Sequence, residues 1–444
     1  MKLSRRKLLG AGVGAVVAPG IAGLLFGQSG VEASNVRGNS LWMDEIQRLP
    51  DQPTFVGERR VDLAIVGGGY TGLSCAFYAK QFRPDWNIVV LESHEIGSGA
   101  SSRNTGAVYA KHVGIDDKSM SERGLDRFRR FVESQEIECD FEPASTLTVL
   151  ASESEAQSAR AEMGADAVWV SNDELSEKAG TSFYEGAIQE SSFYKVQPAK
   201  LSVGTAEAAL NVGVELFERS PVINVQSGIP AILSTPEGRI SADKVLIATN
   251  AYTPRLGIAN YRMFPLHQYS FATPRLTAEQ ISSLGLDLWD LRFEPQLLPI
   301  TFSLTPTGHF FVRLVLGYAS HNSTDWQDIQ GAQRYARRVF ERRYPQIAHI
   351  GLEYGWHGVT GHTTLMKPLA GPINSDGNIH ISAAYNGLGI MPAHNFGYLT
   401  ACRMTDTVDQ DLPYLTGFSG QLLMPGDYYR SLILKPFMSL AAPS

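Results

Sequence analysis

The 444-residue sequence has little that would support a disulfide framework, a metal centre or a nucleic-acid interface. Only three residues are cysteines, and none lies in a CxxC or cysteine/histidine metal spacing. Its 38 Lys and Arg against 45 Asp and Glu give a net charge of −7 without long charge runs, so the basic surface of nucleic-acid-binding proteins is excluded. The absence of HExxH and GxSxG motifs disfavours zinc and serine hydrolases.

The first 34 residues differ in composition from the rest of the chain. They combine a basic start, an apolar stretch over residues 8–26 and a Val-Glu-Ala segment at 31–33, which is the layout of a secretory signal. The run Ser4-Arg5-Arg6-Lys7-Leu8-Leu9 matches a twin-arginine export signal. A permanent membrane helix is the alternative, disfavoured by five glycines and Pro19. We predict a signal over residues 1–33 and a protein that is periplasmic or attached to the outer face of the inner membrane through this segment.

A dinucleotide-binding motif follows a predicted strand at residues 61–66. The strand leads into Gly67-Gly68-Gly69-Tyr70-Thr71-Gly72 and a helix through Phe82, and a second strand at 87–91 ends at Glu92. Gly67 permits the tight turn, Gly69 lets the backbone approach a pyrophosphate, and Gly72 lets helix and strand pack closely. Glu92 is spaced to hydrogen-bond an unphosphorylated ribose. The motif alone does not decide whether the cofactor is NAD or FAD.

Three further segments have the composition of cofactor contacts. Residues 96–106 form a loop of small residues around Arg103, which favours close approach of phosphate or a ring, with an ordinary flexible loop as the alternative. A predicted strand at 379–382 leads into Gly387-Leu388-Gly389-Ile390 and a helix, whose N-terminus stabilises negative charge. A simple strand-to-helix turn is the alternative there. Residues 242–251 predict a buried strand that ends near the phosphates.

Together these segments resemble the D-amino-acid-oxidase-like FAD-dependent amine and amino-acid oxidoreductases, and most closely their gamma-glutamylputrescine oxidoreductase branch. The resemblance extends from Ser40 to about Asp411. The branch carries a Gly-Ala-Ser-Gly-Arg-Asn-Gly-Gly loop, which residues 99–106 match except at Ser102 and Thr105. Residues 198–201, 220–222, 356–358 and 368–371 also resemble family segments, whereas the aspartate that many relatives carry before Pro368 is absent.

The resemblance implies an α/β fold in two domains. A discontinuous, Rossmann-like FAD-binding domain is expected at 57–115, 195–255 and 355–411, and an α+β substrate domain with an antiparallel sheet at 116–194 and 256–354. A C-terminal tail follows at 412–444. Periodicity agrees with this, since 147–150 and 310–315 have the pattern of strands and 125–132 and 332–340 that of helices.

The resemblance also implies which residues contact the cofactor. FAD is expected to bind without a covalent link, because none of the cysteines occupies a recognised attachment position. The predicted contacts are Gly67, Gly69, Tyr70, Thr71, Gly72, Glu92, Ser93, Gly99, Ala100, Ser101, Arg103, Asn104, Thr105, Gly106, Val222, Thr249, Asn250, Gly387, Leu388, Gly389 and Ile390.

The family's chemistry is oxidation of the C–N bond of an amine or amino acid to an imine that water hydrolyses. The predicted catalytic residues are Arg313, to bind a substrate carboxylate, with His267 and Tyr385. A structural arginine, a structural histidine and a core aromatic are the respective alternatives. Residues 109–112 are further candidates to line the site, and Trp356 is either a core aromatic or a wall around an alkylammonium group.

The electron acceptor, quinone or oxygen, is left open by the sequence, and we expect weak oxygen use. Two other hypotheses are an FAD-binding protein with a non-amine substrate or an assembly role, and a nicotinamide-dependent enzyme.

Overall fold

The computed structural model describes residues 36–37, 39–164, 167–285, 291–295, 299–320 and 329–441, so the predicted signal at 1–33 lies outside the described residues. The helices are α1 Leu41–Asp44, α2 Tyr70–Phe82, α3 Lys118–Ser134, α4 Glu153–Ala161, α5 Asn172–Ala179, α6 Pro198–Asn211, α7 Ala278–Ser283, α8 Ile329–Arg343, α9 Ile390–Met404 and α10 Asp427–Ala441.

The strands form two sheets. They are β1 Gly57–Val66, β2 Ile88–Leu91, β3 Ala107–Tyr109, β4 Glu142–Leu150, β5 Val168–Ser171, β6 Gly186–Lys195, β7 Glu215–Phe217, β8 Asn224–Gln226, β9 Ala231–Ser234, β10 Gly238–Ile247, β11 Phe264–Ala272, β12 Leu291–Glu294, β13 Ile300–Leu304, β14 Phe310–Tyr318, β15 Tyr354–His362, β16 Leu369–Pro372 and β17 Ile379–Ala383.

The first sheet has a parallel core. Its strands run in the order β16-β17-β10-β1-β2-β7, with β9 beside β10 and β8 beside β9. Ile65 of β1 lies opposite Leu246 of β10 on one side and Val90 of β2 on the other, and all three are buried. Such continuous apolar strands are typical of a parallel sheet covered on both faces. The strands predicted at 61–66, 87–91 and 379–382 are confirmed, and the one predicted at 242–251 ends earlier, at Ile247.

The helices that follow β1 and β17 lie against each other. A Cβ atom on Gly397 of α9 would lie only 2.7 Å from the carbonyl oxygen of Thr71 in α2, so glycine is needed for the two backbones to meet. Leu73 and Phe77 of α2 share a core with Phe396 and Leu399 of α9. The close packing holds the starts of the two predicted cofactor helices side by side.

The second sheet has the order β15-β11-β14-β13-β12-β4-β6-β3, with β5 beside β6. Its pairings are antiparallel except for β12 with β4. The predicted antiparallel sheet is therefore confirmed. Two of its strands, β3 and β15, come from segments that the sequence assigns to the FAD-binding domain, so sheet membership differs from the predicted division there.

The two faces of the second sheet differ in chemistry. The apolar face carries Phe302, Phe310 and Leu314, which pack against Phe340 of α8. On the polar face, Arg313 of β14 lies opposite Ser270 of β11 and Thr301 of β13. Alternation along the strands separates the two sets, because successive side chains point to opposite sides of a sheet.

The first described residues attach to the loop at residues 96–106, which we call the flavin loop. Ser40 Oγ donates to the carbonyl of Ser102 at 2.7 Å, and Trp42 Nε1 donates to the carbonyl of Asn104 at 2.8 Å. Arg37 forms a parallel bridge with Tyr354 of β15. The segment after the predicted signal is thus part of the folded body of the protein.

Candidate functional site

The turn between β1 and α2 has the geometry of a phosphate-binding loop. Gly67 adopts φ +109°, and a Cβ there would lie 2.8 Å from the carbonyl oxygen of Ala248. A Cβ on Gly72 would lie 2.0 Å from the carbonyl oxygen of Gly67, so no side chain fits at that position. The helix N-cap is Gly69, which has no side chain to cap the first turn. The Tyr70 amide donates to Ser101 Oγ, and the amides of Thr71 and Gly72 are those available to an anion.

Glu92 lies at the end of β2, where the sequence predicts a ribose contact. Its Oε2 accepts from the Gly68 amide at 2.8 Å, and its Oε1 accepts from Ser93 Oγ and the His94 amide, both at 3.0 Å. A carboxylate has about four acceptor positions, so these donors fix its orientation and leave room for a ribose hydroxyl. The hydroxyl of Ser93 thus helps to orient the carboxylate of Glu92.

Arg103 and Asn104 hold the second loop in shape. Arg103 donates to the carbonyl of Ser98 and to that of His357 in β15, both at 2.8 Å. Asn104 Nδ2 donates to the carbonyls of Ala100 and Ser101, and its Oδ1 accepts from the Gly106 amide at 2.8 Å. Burial lowers the pKa of Arg103. The loop is therefore ordered by its own polar side chains.

Other predicted contacts of this loop lie at its connections to neighbouring segments. Ser101 Oγ accepts from the Tyr70 amide at 3.1 Å, which joins the loop to the first turn of α2. The carbonyl of Thr105 accepts from Nζ of the fully buried Lys195 at 3.1 Å. The loop is thus connected to α2 and to the second sheet.

The remaining predicted segments also lie close together. Asn250, in the left-handed region at φ 42°, accepts at Oδ1 from the Ala384 amide at 3.0 Å, and Thr249 Oγ1 lies 2.9 Å from Thr253 Oγ1. Gly387 adopts φ +85° just before α9, whose N-cap Gly389 is capped by no described side chain. The helix predicted to follow this glycine-containing segment is confirmed and begins at Ile390.

Val222, a predicted cofactor contact, lies in the irregular connection between β7 and β8. In that connection, the Ser220 amide donates to the carbonyl of Glu92 at 2.8 Å. The segment is therefore held beside the predicted ribose site by its backbone, without strand pairing.

Strand β15 is where the predicted cofactor segments meet the second sheet. Besides the Arg103 bond to His357, the Asn386 amide donates to the carbonyl of Gly361 at 3.2 Å. A Cβ on Gly361 would lie 2.8 Å from Asn250 Oδ1, and one on Gly387 would lie 3.7 Å from His362 Cε1. The polar face of the second sheet therefore adjoins the cofactor segments.

A chain of hydrogen bonds runs along this polar face. Arg313 donates to Thr301 Oγ1 at 2.8 Å and to Gln268 Oε1 at 3.1 Å. Gln268 Nε2 donates to Thr360 Oγ1 at 2.6 Å, and that hydroxyl lies 2.9 Å from His362 Nε2. We call these five residues, Thr301, Arg313, Gln268, Thr360 and His362, the polar chain.

Charge and burial shift the pKa values of groups along the polar chain. Burial lowers the pKa of Arg313 to about 10. Burial and the charge of Arg313 lower the pKa of His362 to about 4, so the imidazole is neutral at pH 7. Burial raises the pKa of Tyr109 to about 12, against the opposing effect of Arg313. The site thus combines one half-buried cation with neutral polar groups.

Comparison with known proteins identifies the family. The sequence profile of the DAO family, FAD dependent oxidoreductase, matches residues 62–403. The chain belongs to this family. It is 27% identical to the gamma-glutamylputrescine oxidoreductase of Escherichia coli (strain K12) over 365 residues, which cover 77% of this chain and 82% of the relative. It is 23% identical to the glycine oxidase of Bacillus subtilis (strain 168) over 381 residues, covering 80% and 96%.

Solved structures share the fold of this DAO-family protein. The glycine oxidase of Geobacillus kaustophilus superposes with a TM-score of 0.70 at 19% identity, covering 82% of this chain and 99% of that one. The L-proline dehydrogenase of P. horikoshii gives a TM-score of 0.64 at 18% identity, covering 83% and 96%. The predicted α/β fold with a Rossmann-like domain is confirmed.

The residues of this DAO-family protein fit FAD. The glycine turn offers a cradle that a Cβ would fill, and the uncapped amides at the starts of α2 and α9 suit two anionic parts of a dinucleotide. Glu92 supplies acceptors only, as an unphosphorylated ribose requires. Family membership and this donor set agree on FAD, which the glycine motif by itself could not distinguish from NAD.

The predicted catalytic residues are not brought together. His267 points to the side of the second sheet opposite Arg313, where its Nδ1 lies 2.6 Å from His357 Nε2. Tyr385 is buried, and its hydroxyl lies 2.8 Å from Thr71 Oγ1 and 2.9 Å from Ser382 Oγ. It therefore connects the C-terminal segment to α2. Of the three, Arg313 is the one on the polar face.

The other candidates from the sequence also divide into residues near the polar face and residues elsewhere. Tyr109 lies near Arg313, as their electrostatic interaction shows. His112 lies elsewhere, with Nε2 3.1 Å from Asn395 Nδ2 and Nδ1 3.2 Å from Ser121 Oγ. Trp356 packs in a core with Trp42 and Phe311 and donates to the carbonyl of Arg103 at 3.1 Å. It is a core aromatic that also supports the flavin loop.

Gln268, Thr301, Thr360 and His362 were not found by sequence analysis. Each is an ordinary polar residue in a strand, and three separate strands contribute them. One signal could have indicated two of them. Thr360 and His362 are two residues apart, and this spacing places both side chains on one face of β15. Within the described ranges, no group of His, Cys, Asp and Glu has the arrangement of a metal site.

Proposed function

We propose that this protein oxidises the C–N bond of an amine or amino acid that carries a carboxylate, using FAD bound without a covalent link. The observation that supports this most directly is Arg313, a cation on the polar face that no acidic side chain among the described residues pairs with. When bound, FAD supplies the hydride acceptor for C–N oxidation.

The guanidinium of Arg313 retains donors for a substrate. Arginine carries five N–H donors, and Gln268 and Thr301 each accept one. Its Nε is buried and has no partner within the described part of the chain. Because a half-buried cation with a shielded Nε and no acidic partner is costly, the site favours an anionic ligand, and a carboxylate suits the planar fork of the guanidinium.

The same environment favours an uncharged amine. Burial and the charge of Arg313 hold the pKa of His362 near 4, and they act on any basic nitrogen bound beside it. A substrate ammonium placed there loses its proton more readily than in water, and loss of hydride from the neighbouring carbon requires the neutral amine. The neutral imidazole of His362 and the hydroxyl of Thr360 supply hydrogen-bonding partners for that amine.

Non-covalent attachment is supported by the state of the cysteines. All three are buried and unpaired. Burial raises the pKa of Cys402 to about 11 and that of Cys139 to about 12, and it raises the pKa of Cys75 further. Since the thiolate is the nucleophile, these thiols are unreactive toward a flavin.

The names of the relatives support the substrate class and nothing finer. Gamma-glutamylputrescine and glycine, from the names of the E. coli and B. subtilis relatives, both contain an amine and a carboxylate. We also propose that the protein is exported by the twin-arginine route and passes electrons to quinone in preference to oxygen.

An anaerobic screen tests the proposal. The purified protein, with FAD released by denaturation as the check of cofactor content, is mixed with amines and D- and L-amino acids while flavin absorbance is followed. We expect bleaching by a carboxylate-bearing amine and slow recovery when oxygen is admitted. A protein that releases no FAD, or that no such amine bleaches, contradicts the proposal. Rapid peroxide production contradicts the preferred acceptor.

A further inference from the structure

An apolar patch covers the C-terminal part of the described chain. Thirteen large apolar side chains are exposed among the described residues, and seven of them lie here. We call these seven, Tyr261, Leu422, Leu423, Tyr428, Tyr429, Leu432 and Ile433, the C-terminal patch. Clustering of this kind is uncommon on the surface of a monomeric protein, where exposed apolar residues are normally scattered singly.

Helix α10 presents its apolar side outward. At 100° per residue, the exposed Tyr428, Tyr429, Leu432 and Ile433 occupy an arc of about 140°. The opposite side carries Arg430, which is buried and donates to the carbonyls of Met263 and Asn260 at 2.9 and 2.8 Å. An amphipathic helix normally buries its apolar side, whereas residues 428–433 of α10 expose four large apolar side chains.

The inward side of α10 is well anchored. The Tyr318 hydroxyl of β14 donates to Asp427 Oδ1 at 2.5 Å, and Leu434 packs against Val315 and Tyr318. Strand β14 also carries Arg313 of the polar chain. The patch is therefore held against the strand that carries Arg313, beside Val315 and Tyr318.

Two cations adjoin the patch. They are Arg262, whose guanidinium lies 4.8 Å from the ring centroid of Phe418, and the exposed Lys367. Asp427, at the start of α10, accepts from the Tyr318 hydroxyl, and its Oδ1 lies 3.8 Å from Nη2 of the buried Arg430. On a chain of net charge −7, Arg262 and Lys367 form a basic margin beside the apolar side chains that is complementary to an anionic surface.

We propose that the C-terminal patch docks this protein on the surface of an anionic lipid bilayer. Leucine and isoleucine side chains enter the boundary of the acyl chains, tyrosine rings lie at the level of the headgroups, and the basic margin faces the lipid phosphates. No helix in the described residues is both long and apolar enough to cross a bilayer, so α10 lies on the surface. A bilayer-soluble electron acceptor would then be held near the strand that carries Arg313.

Vesicle sedimentation of the full-length holoenzyme tests the docking. Because residues 8–26 are themselves apolar, all proteins carry Leu24→Glu with Leu25→Glu to disable that stretch. In this background we expect binding to phosphatidylglycerol vesicles and weak binding to phosphatidylcholine vesicles. Adding Leu432→Glu with Ile433→Glu should weaken partitioning about tenfold or more. The control is Val56→Glu. Val56 is 67% exposed, similar to Leu432 at 57% and Ile433 at 64%, and its substitution should leave vesicle partitioning unchanged.

Bound FAD and the unfolding temperature, measured on each variant, show whether it is folded. Failure of the background protein to bind anionic vesicles overturns the proposal, as does binding that the α10 variants leave intact. Sedimentation velocity addresses a second copy of the chain as the occupant. A dimer that Leu432→Glu with Ile433→Glu converts to monomer, in a protein that ignores vesicles, also overturns the proposal.

Discussion

The two faces of the antiparallel sheet perform opposite tasks with strands in common. On β14, Phe310 and Leu314 enter the core under α8, while Arg313 between them lies on the other face and pairs with no described acid. The apolar face contributes stability through burial. The polar face keeps a half-buried cation that no described acidic side chain pairs with, which costs stability and creates a binding site. Stability and binding can therefore be changed independently by adjacent residues of one strand.

The largest expected effect is on the apolar face. Phe310→Ala should lower the free energy of unfolding by about 3–5 kcal/mol, because it leaves a cavity among Phe302, Phe340 and Tyr344. Urea denaturation of the holoenzyme measures this, with the exposed Val56→Ala as control. The Michaelis constant should stay near that of the parent. If Phe310→Ala instead lowers the free energy of unfolding only slightly and raises the Michaelis constant strongly, the apolar face serves binding and the comparison of the two faces is wrong.

Arg313→Met is the converse change. We expect kcat/KM for the carboxylate substrate to fall about 100-fold or more, since a charge-assisted bidentate pair contributes roughly 3 kcal/mol. The free energy of unfolding should hold or rise, because the variant removes a half-buried cation that no described acidic side chain pairs with.

Arg343→Met is the matched control for Arg313. Arg343 pairs with the buried Glu294, with Nη2 2.8 Å from Oε2. Its loss leaves that carboxylate uncompensated and should lower the free energy of unfolding by about 3–5 kcal/mol. Equal loss of stability in both arginine variants would show that Arg313 serves the fold and not the substrate.

The polar face should also make the protein sensitive to acid. The pKa of His362 is about 4 in the folded protein against a usual 6.5, so below pH 6.5 the unfolded chain takes up a proton that the folded protein does not. The free energy of unfolding therefore falls as pH drops from 6.5 toward 4. His362→Gln should reduce the loss between pH 7.5 and 5.0 by about 1–2 kcal/mol. Urea titrations at both values measure it, and identical losses in parent and variant would refute the effect.

The smallest expected effect is at the centre of the polar chain. Thr360→Val removes the hydroxyl that connects Gln268 to His362 and should lower kcat/KM about fivefold, near 1 kcal/mol. Thr360→Ser retains the hydroxyl and should restore the parental value. If Thr360→Val and Thr360→Ser behave alike, the hydrogen bond has no part in catalysis.

The first sheet was predictable because its signals are local in sequence. The glycine turn, the helix ending at Phe82 and Glu92 lie within one βαβ unit, and the backbone requires glycine at Gly67 and Gly72. The start of α9 at Ile390 follows from the same local pattern.

The polar chain was not predictable in this way. Its residues come from β11, β13, β14 and β15, and only the register of those strands places them side by side. His267 illustrates the difficulty. It was predicted from the sequence, but its neighbour Gln268 is the residue that reaches the site, because successive residues of a strand point to opposite faces of the sheet. Arg313 was found because a lone arginine in an apolar strand is conspicuous.

The attachment of the first described residues has a consequence for the order of events during synthesis. The side chain of Arg37 donates to the hydroxyl of Tyr354, 317 residues later in the sequence, at 3.3 Å. Ser40 and Trp42 bind the loop at 96–106, which is made early, whereas the contact of Arg37 needs β15, which is made late. Docking of Arg37 on β15 therefore marks a nearly complete chain.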